Sequence, residues 1–479
     1  MTPFGASQLR EILPPKRKLE FSVNEIHLEN SALATFANLR MVHDYTCILE
    51  SATGAERLAE LSIIVFDPYC VLTASKGKVS IEDRRNSITT RLETKDPLLA
   101  IREIVRSSPV DNRRLRFLGG AVGYISFDAA SYWEKKLGHK MKGKPMFPDM
   151  QFCLFEEGII FDHQNHKEFY FHSNRTRDRQ SEIEKVSRKQ YEVGDFSFSK
   201  VKTNVKQKTF EESVKRAKRY IKEGDIFQVV LSKRFDFTFK GDLLRFYSEL
   251  RKLNPSPYMY FLDFGETSIV GSSPEMLARV ENGVVETFPI AGTRPRIDNE
   301  QQNKKLKDEL LADPKERAEH VMLVDLARND IGRISKFGTV SVPEFMEVKE
   351  FSHVQHIVSQ VTGKLSKDLD CFDAMRSIFP AGTVSGAPKI RAMEIIEKLE
   401  TERRGPYAGA VGYFSFNGNM DSAITIRTLV AQGNKAFIQA GAGIVADSDP
   451  RSEWLETEHK ARALFNAMDN AAKKERKIK

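Results

Sequence analysis

The chain has 479 residues, and 74 basic against 66 acidic side chains leave a formal charge of +8. With 41% hydrophobic and 29% charged residues it carries enough apolar surface for a sizeable core, which excludes disorder throughout. No apolar run approaches the roughly 18 residues of a membrane span, and the opening MTPFGASQLREILPPKRKLEF has no stretch suited to a signal peptide, so a soluble, cytoplasmic protein is expected.

At about 150 residues per domain the length allows about three domains or one large two-part enzyme. Residues 1–172 read as a strand-rich region, in which GIIFDHQNHKEFYFH alternates and turns at Gln164 and Asn165 in the manner of a hairpin. Residues 173–209 are polar, opening with SNRTRDRQSEIEKVSRKQ, and read as a linker with a short exposed helix. Residues 210–470 contain strands such as DIFQVVLSKRF, AITIRTLV and AFIQAGAGIV. The helices PKERAEHVMLVDLARND and PRSEWLETEHKARALFNAM are interspersed among them without regular βαβ alternation, which favours an α+β class. Residues 471–479 form a basic tail (Lys473, Lys474, Arg476, Lys477, Lys479), read as a solvated helix end. No aromatic platform accompanies these charges, so nucleic acid is not indicated. Cys47, Cys70, Cys153 and Cys371 lie far apart without CxxC pairing and are expected to stay reduced. Two decamers resemble one another, GGAVGYISFD from Gly119 and AGAVGYFSFN from Ala408, with no fixed period elsewhere.

Candidate chemistry gathers in the C-terminal half. Asp313 and Pro314 form an N-cap and first helical residue, which puts Glu316 where a capping-box carboxylate sits. Glu319 precedes Met322, Leu323 and Leu326 at spacings of three, four and seven, so its carboxylate falls on an otherwise apolar stripe and needs a partner. A second helix repeats the arrangement with Asp449, Pro450, Glu453, Glu456 and, one turn on, Lys460. Two such carboxylate pairs could hold Mg²⁺ and leave positions for water and an anion, and no Cys/His cluster favours zinc instead. Arg427 lies in MDSAITIRTLV, read as one alternating strand with Ile424, Ile426 and Val430 on one face; its partner is either an anionic ligand or a structural carboxylate. Gly441 and Gly443 would let backbone amides approach an oxyanion, although an ordinary turn explains them equally. AGTVSGAPKIRAMEII from Ala381 is a Gly-rich loop entering a helix, suited to an anion but breaking the GxxxxGK[ST] spacing. His356 sits among β-branched residues, where a structural histidine is the ordinary reading.

Taken together, PIAGTRPR from Pro289, KERAEHVMLVDLARND from Lys315, GTVSGAPKIRAMEII from Gly382, GAVGYF and QAGAGIV from Gln439 resemble the chorismate-utilising enzymes over essentially everything after Phe210. Within that family the chain is similar to the large components of anthranilate synthases. Water-using members carry a lysine base where this strand has Gln228, which implies an amine nucleophile. Aminodeoxychorismate synthases, the nearest alternative, carry a nucleophilic lysine where Ala291 stands, and alanine forms no covalent adduct. CILES around Ser51, with Pro257, Tyr258 and Met259 of NPSPYM, is similar to a tryptophan feedback site.

The resemblance implies a sandwich of antiparallel sheets flanked by helices, with a cleft lined mainly by C-terminal residues. It implies Glu319 and Glu456 as direct Mg²⁺ ligands, with Glu316 and Glu453 supporting through water. Gly292, Thr293, Tyr407, Arg427, Gly441, Ala442, Gly443 and Lys460 would hold chorismate, and His356 and Thr383 would handle and position protons. Ammonia as NH₃ is scarce at neutral pH, and none of the four cysteines lies between glycines as an amidotransferase nucleophile would. A separate glutamine amidotransferase subunit, and hence a hetero-oligomer, is therefore expected.

Overall fold

The two similar decamers become neighbours. Gly120–Ile125 and Ala410–Ser415 are antiparallel strands paired so that Gly123 faces Gly412 and Tyr124 faces Val411. In the computed structural model, which describes residues 19–51, 61–106, 110, 115–138, 146–189, 191, 193–350 and 354–473, they form the middle of a 12-stranded sheet. A 13-stranded sheet lies against it. The latter runs from Phe21–Ile26 through Lys167–Ser173, Glu157–Asp162, Leu61–Phe66 and Tyr45–Glu50. It continues into Tyr258–Phe264, Thr267–Ser273, Thr428–Gln432, Lys435–Ile444 and Gln228–Gly241. Both sheets therefore draw strands from both ends of the chain.

Alternation places the cores. One apolar cluster fills the space between the sheets, with Val65, Phe171 and Leu262 from one meeting Leu72, Tyr124 and Phe152 from the other. A second lies on the outer face of the 13-stranded sheet, under the helices Ala32–Arg40, Leu243–Leu253 and Pro450–Ala472. The α+β class expected from the element pattern and the sandwich of antiparallel sheets implied by the resemblance are the observed architecture. The hairpin forms as read, with Asp162 opposite Lys167. The polar segment after residue 172 contains the helix Gln180–Ser187 and short strands at Phe196–Phe198 and Lys202–Thr203. All four cysteines are buried and free. Of the basic tail only Lys473 lies within the described residues, and among those residues no helix is long and apolar enough to cross a membrane.

The AITIRTLV run is corrected. It is two strands, Met420–Ile424 in the 12-stranded sheet and Thr428–Gln432 in the 13-stranded one. Between them the chain crosses the sandwich, and Arg427 takes a φ of 51° to turn it. Alternation continues through the break, and no glycine or proline marks it.

The close approach of the neighbouring strand Met150–Phe155 leaves no room at Gly123, where a Cβ would lie 2.1 Å from the Gln151 carbonyl oxygen and 2.7 Å from the Phe152 ring. Gly123→Ala is expected to destabilise the fold by more than about 2 kcal/mol, read as a lowered urea midpoint.

Candidate active site

Pairing of Gln228–Gly241 with Lys435–Ile444 sets Val230 opposite Gly443 and Ser232 opposite Gly441. A Cβ on Gly441 would stand 2.7 Å from the Tyr407 hydroxyl, and one on Gly443 would stand 2.7 Å from Gln228 Nε2. Tyr407 and Gln228 thus lie directly over the bare backbone of the two glycines, while Ala442 between them is fully buried on the opposite face. Gln228 Nε2 donates to Glu319 Oε1 at 3.1 Å. That bond fixes the amide, and its other end, Oε1, is buried without a hydrogen-bond partner.

Glu319 comes from the helix Pro314–Gly332, whose N-cap Asp313 accepts from the amides of Lys315 and Glu316. Leu323 and Val324 bury the inner stripe of this helix. Glu316 does not complete a capping box: its carboxylate accepts from Arg294 at 3.2 Å, because that guanidinium, also bound to Asp313, outcompetes a local cap. The helix Pro450–Ala472 starts likewise, with Asp449 accepting from the Ser452 amide. Its rotational setting is fixed by Lys233, a fully buried side chain whose ammonium lies 3.0 Å from the Trp454 ring centre and 3.0 Å from Glu458 Oε1. Glu453 and Glu456 then face Glu319 and Lys460.

These carboxylates oppose one another. Burial raises Glu319, and the charges of Glu316 and Glu456 raise it further. Burial and then Glu456 do the same to Glu453, whose Oε2 is buried and unpartnered. Lys460 holds Glu456 at 2.7 Å. Among the described residues no three acidic, histidine or cysteine side chains stand tightly enough around one point to form a finished metal cage. The all-oxygen donor set, mutual repulsion and an orphaned carboxylate oxygen nonetheless fit a hard divalent cation.

On the far wall, Arg427 Nη1 donates to the Lys460 carbonyl at 2.5 Å, and Lys460 Nζ donates to the Gly441 carbonyl at 3.0 Å. Burial lowers the Arg427 pKa. Among the described residues no carboxylate forms an ion pair with Arg427, although the charge of Glu456 acts on it from nearby. His356 Nδ1 lies 2.8 Å from the Gly292 carbonyl and 3.2 Å from Thr293 Oγ1. Gly292 has a φ of 68°, a turn that presents this carbonyl. Burial lowers the histidine pKa, so the ring is neutral at pH 7, with Nδ1–H donating to Gly292 and Nε2 as the basic nitrogen.

Sequence reasoning missed Glu275. Thr383 Oγ1 donates to Glu275 Oε1 at 2.8 Å, and burial pushes this carboxyl up to about 7 against the opposing effects of Thr383 and Lys460. Nothing in the local sequence around Glu275 marks it; burial by elements distant in the chain is what makes it a proton-holding group in the site.

Remote from these residues, Ser51, Pro257, Tyr258 and Met259 line one cavity of about 70 Å³ together with Arg279 and Asp421. Ser51 Oγ and the neighbouring Glu50 Oε1 are buried there without partners. Tyr258 donates to Asp421 at 3.0 Å, and Asp421 pairs with Arg279 at 2.9 Å.

Residues 44–466 match the family model described as chorismate binding enzyme. The chain is 46% identical over 470 residues to anthranilate synthase component 1 of Methanothermobacter marburgensis, covering 98% of this chain and 97% of that one. It is 44% identical to the protein of the same name from Aquifex aeolicus over 481 residues, covering 95% and 97%. The crystal structure of anthranilate synthase component I from Streptococcus pneumoniae superposes with a TM-score of 0.77 at 39% identity, covering 86% of this chain and 93% of that one. A menaquinone-specific isochorismate synthase from Escherichia coli shares the fold, with a TM-score of 0.71 at 20% identity over 96% of this chain and 97% of that one.

Folded Glu275 keeps its proton up to about pH 7, whereas an unfolded chain releases it near the ordinary 4.5. The folded state therefore binds the extra proton in that window, and stability falls as pH rises through it. Glu275→Gln, which has no proton to lose, is expected to gain on the order of 3 kcal/mol relative to the parent between pH 5 and pH 8, measured by urea unfolding at the two pH values.

Proposed function

Because the chain belongs to the chorismate-binding enzymes, and among them to the anthranilate synthase component 1 proteins, we propose that it converts chorismate and ammonia to anthranilate and pyruvate in tryptophan biosynthesis. In this reading it works in the cytoplasm with Mg²⁺, takes ammonia from a glutamine amidotransferase subunit, and is feedback-inhibited by L-tryptophan. The observation that carries the reading is the Gln228 amide, pinned by Glu319 with Oε1 unpartnered beside Gly443. An amide cannot deprotonate water, but its oxygen can accept from the N–H of ammonia and aim the nitrogen lone pair at the ring.

Chorismate is a dicarboxylate. Arg427 and Lys460 neutralise the enolpyruvyl carboxylate, and Tyr407, Thr293 and the backbone around Gly441 and Gly443 complete the cradle. Glu319, Glu456, Glu316 and Glu453 would hold Mg²⁺, which when bound polarises the ring carboxylate as a Lewis acid. Ammonia oriented by Gln228 attacks the carbon beside that carboxylate. Glu275, protonated near neutrality and steadied by Thr383, donates its proton to the distant hydroxyl, which leaves as water. His356 Nε2 then removes the proton from the new C–N carbon, the C–O bond between ring and side chain breaks as the ring becomes aromatic, and the departing enolate takes a proton at its methylene carbon to become pyruvate. Ala291 leaves no amine for a covalent route.

The cavity at Ser51 suits an amino acid, since the unpartnered Glu50 carboxylate oxygen and Ser51 hydroxyl match an ammonium group and Tyr258 and Met259 supply apolar walls. Asp421 ties it to the strand Met420–Ile424, three residues short of Arg427. This link supports inhibition by displacement of the crossing that carries the arginine.

With chorismate, MgCl₂ and an ammonium salt at alkaline pH, the purified chain is expected to give fluorescent anthranilate and equimolar pyruvate. Chorismate loss without pyruvate would instead identify an aminodeoxychorismate synthase. His356→Ala should lower anthranilate formation by at least about 10²-fold while chorismate still binds; full activity would remove His356 from the mechanism. Ser51→Phe should raise the tryptophan concentration for half inhibition by at least about tenfold, with the chorismate KM unchanged.

A further inference from the structure

Arg404 is 2% exposed, and all three nitrogens of its guanidinium donate hydrogen bonds. Nε and Nη2 hold Glu400 at 2.9 and 2.6 Å, Nη2 also donates to the Val230 carbonyl at 2.7 Å, and Nη1 donates to the Val384 carbonyl at 2.8 Å. Glu400 in turn accepts from the amide and the hydroxyl of Ser232 at 2.8 and 2.9 Å. Val230 and Ser232 are two residues apart on the strand Gln228–Gly241, so their backbone groups point to one edge of it. The ion pair occupies that edge as a neighbouring strand would, and it ties the edge to the short helix Gly382–Ser385, which carries Thr383. One of the two similar decamers completes the seat. Its Phe127 ring centre lies 4.4 Å from the guanidinium, the Phe127 amide donates to the Gly405 carbonyl at 2.8 Å, and Asp128 accepts from the Gly405 amide at 2.9 Å.

A buried ion pair gains little stability that well-packed apolar side chains would not supply, whereas a planar fork of donors fixes direction. We propose that Arg404 is a positioning residue: it holds Thr383, and through Thr383 the Glu275 carboxyl, in register with the strand that presents Gln228. The inference rests on the function proposed above, in which Gln228 orients the nucleophile and Glu275 protonates the leaving hydroxyl. The route is short. One arm of Arg404 bonds the carbonyl of the residue after Thr383, and Thr383 Oγ1 donates to Glu275 Oε1 at 2.8 Å. The other arm bonds the carbonyl of Val230, two residues beyond Gln228. The attacking nitrogen is served by one arm and the departing hydroxyl by the other, so an error of position between them costs rate without weakening chorismate binding.

The test measures anthranilate formation from chorismate and an ammonium salt by the full chain. Arg404→Lys keeps the charge but loses the fork, and should lower kcat by at least about tenfold with the chorismate KM within about threefold of the parent. Thr383→Val should lower kcat in the same way. The double variant should lose at least about fivefold less than the product of the two single losses, because both substitutions act on one contact. Far-UV circular dichroism checks that each variant is folded. Should Arg404→Lys not fold, Glu400→Gln, which keeps the shape and weakens the grip on the fork, replaces it in the same cycle, with a kcat loss of at least about threefold at unchanged KM. A kcat within about twofold of the parent, a loss confined to KM, or single losses that multiply would each overturn the positioning role. A parent chain that yields no anthranilate from ammonium salt overturns the functional reading, and this inference with it; an active parent whose variants fail the cycle overturns this inference alone.

Discussion

The site depends on two adjacent places where the chain passes from one sheet to the other. Thr267–Ser273 hands over to Met276–Glu281 across Pro274 and Glu275, and Met420–Ile424 hands over to Thr428–Gln432 across Arg427. The crossings are bonded together: the Ile424 amide donates to the Glu275 carbonyl at 3.1 Å, and the Ser272 amide donates to the Arg427 carbonyl at 3.1 Å. A sandwich normally fills its interior with apolar side chains. Where the backbone itself traverses that interior, its polar groups need partners, and the side chains it carries arrive at a depth no helix or loop would reach. The proton-holding carboxyl and the unpaired guanidinium sit at these two points.

Around them the electrostatics are unbalanced by design of the fold. Four carboxylates on two helices approach one another, with Arg294 and Lys460 as the nearest compensating charges. Opposite them the Arg427 guanidinium is partly buried and, among the described residues, forms no ion pair with a carboxylate. Each half is electrostatically unfavourable on its own, because like charges are held close together on one side and a guanidinium is desolvated on the other. The rigid frame needed to hold such unfavourable neighbours comes from the helix caps at Asp313 and Asp449 and from the Lys233 contact with Trp454.

Much of this was legible from local pattern. The Asp-Pro starts, the inward stripe of Glu319 and the glycine alternation at Gly441 and Gly443 are set by short-range sterics and hydrogen bonding, and they survive folding unchanged. Three features were not legible. Glu316 has capping-box spacing, but a distant Arg294 takes its carboxylate. Arg427 lies in an unbroken alternation, and its left-handed backbone is imposed by the crossing rather than by residue type. Glu275 gains its raised pKa from burial at the crossing, with Thr383 and Lys460, more than a hundred residues away in sequence, opposing the shift. Local rules describe elements; long-range juxtaposition decides which polar groups lose their water.

The Lys233 contact has an optical consequence. The chain has two tryptophans. Trp133 stands edge-on to Phe379 at 5.5 Å, on the N-terminal side of the cleft, whereas Trp454 lies between the Lys233 ammonium and Phe210, one residue from Glu453. A cation held over one indole face makes its excited state sensitive to small displacements of the helix. The protein therefore carries an intrinsic fluorophore on the element that bears two of its four clustered carboxylates, and its emission reads out the rotational setting of that helix without any added label.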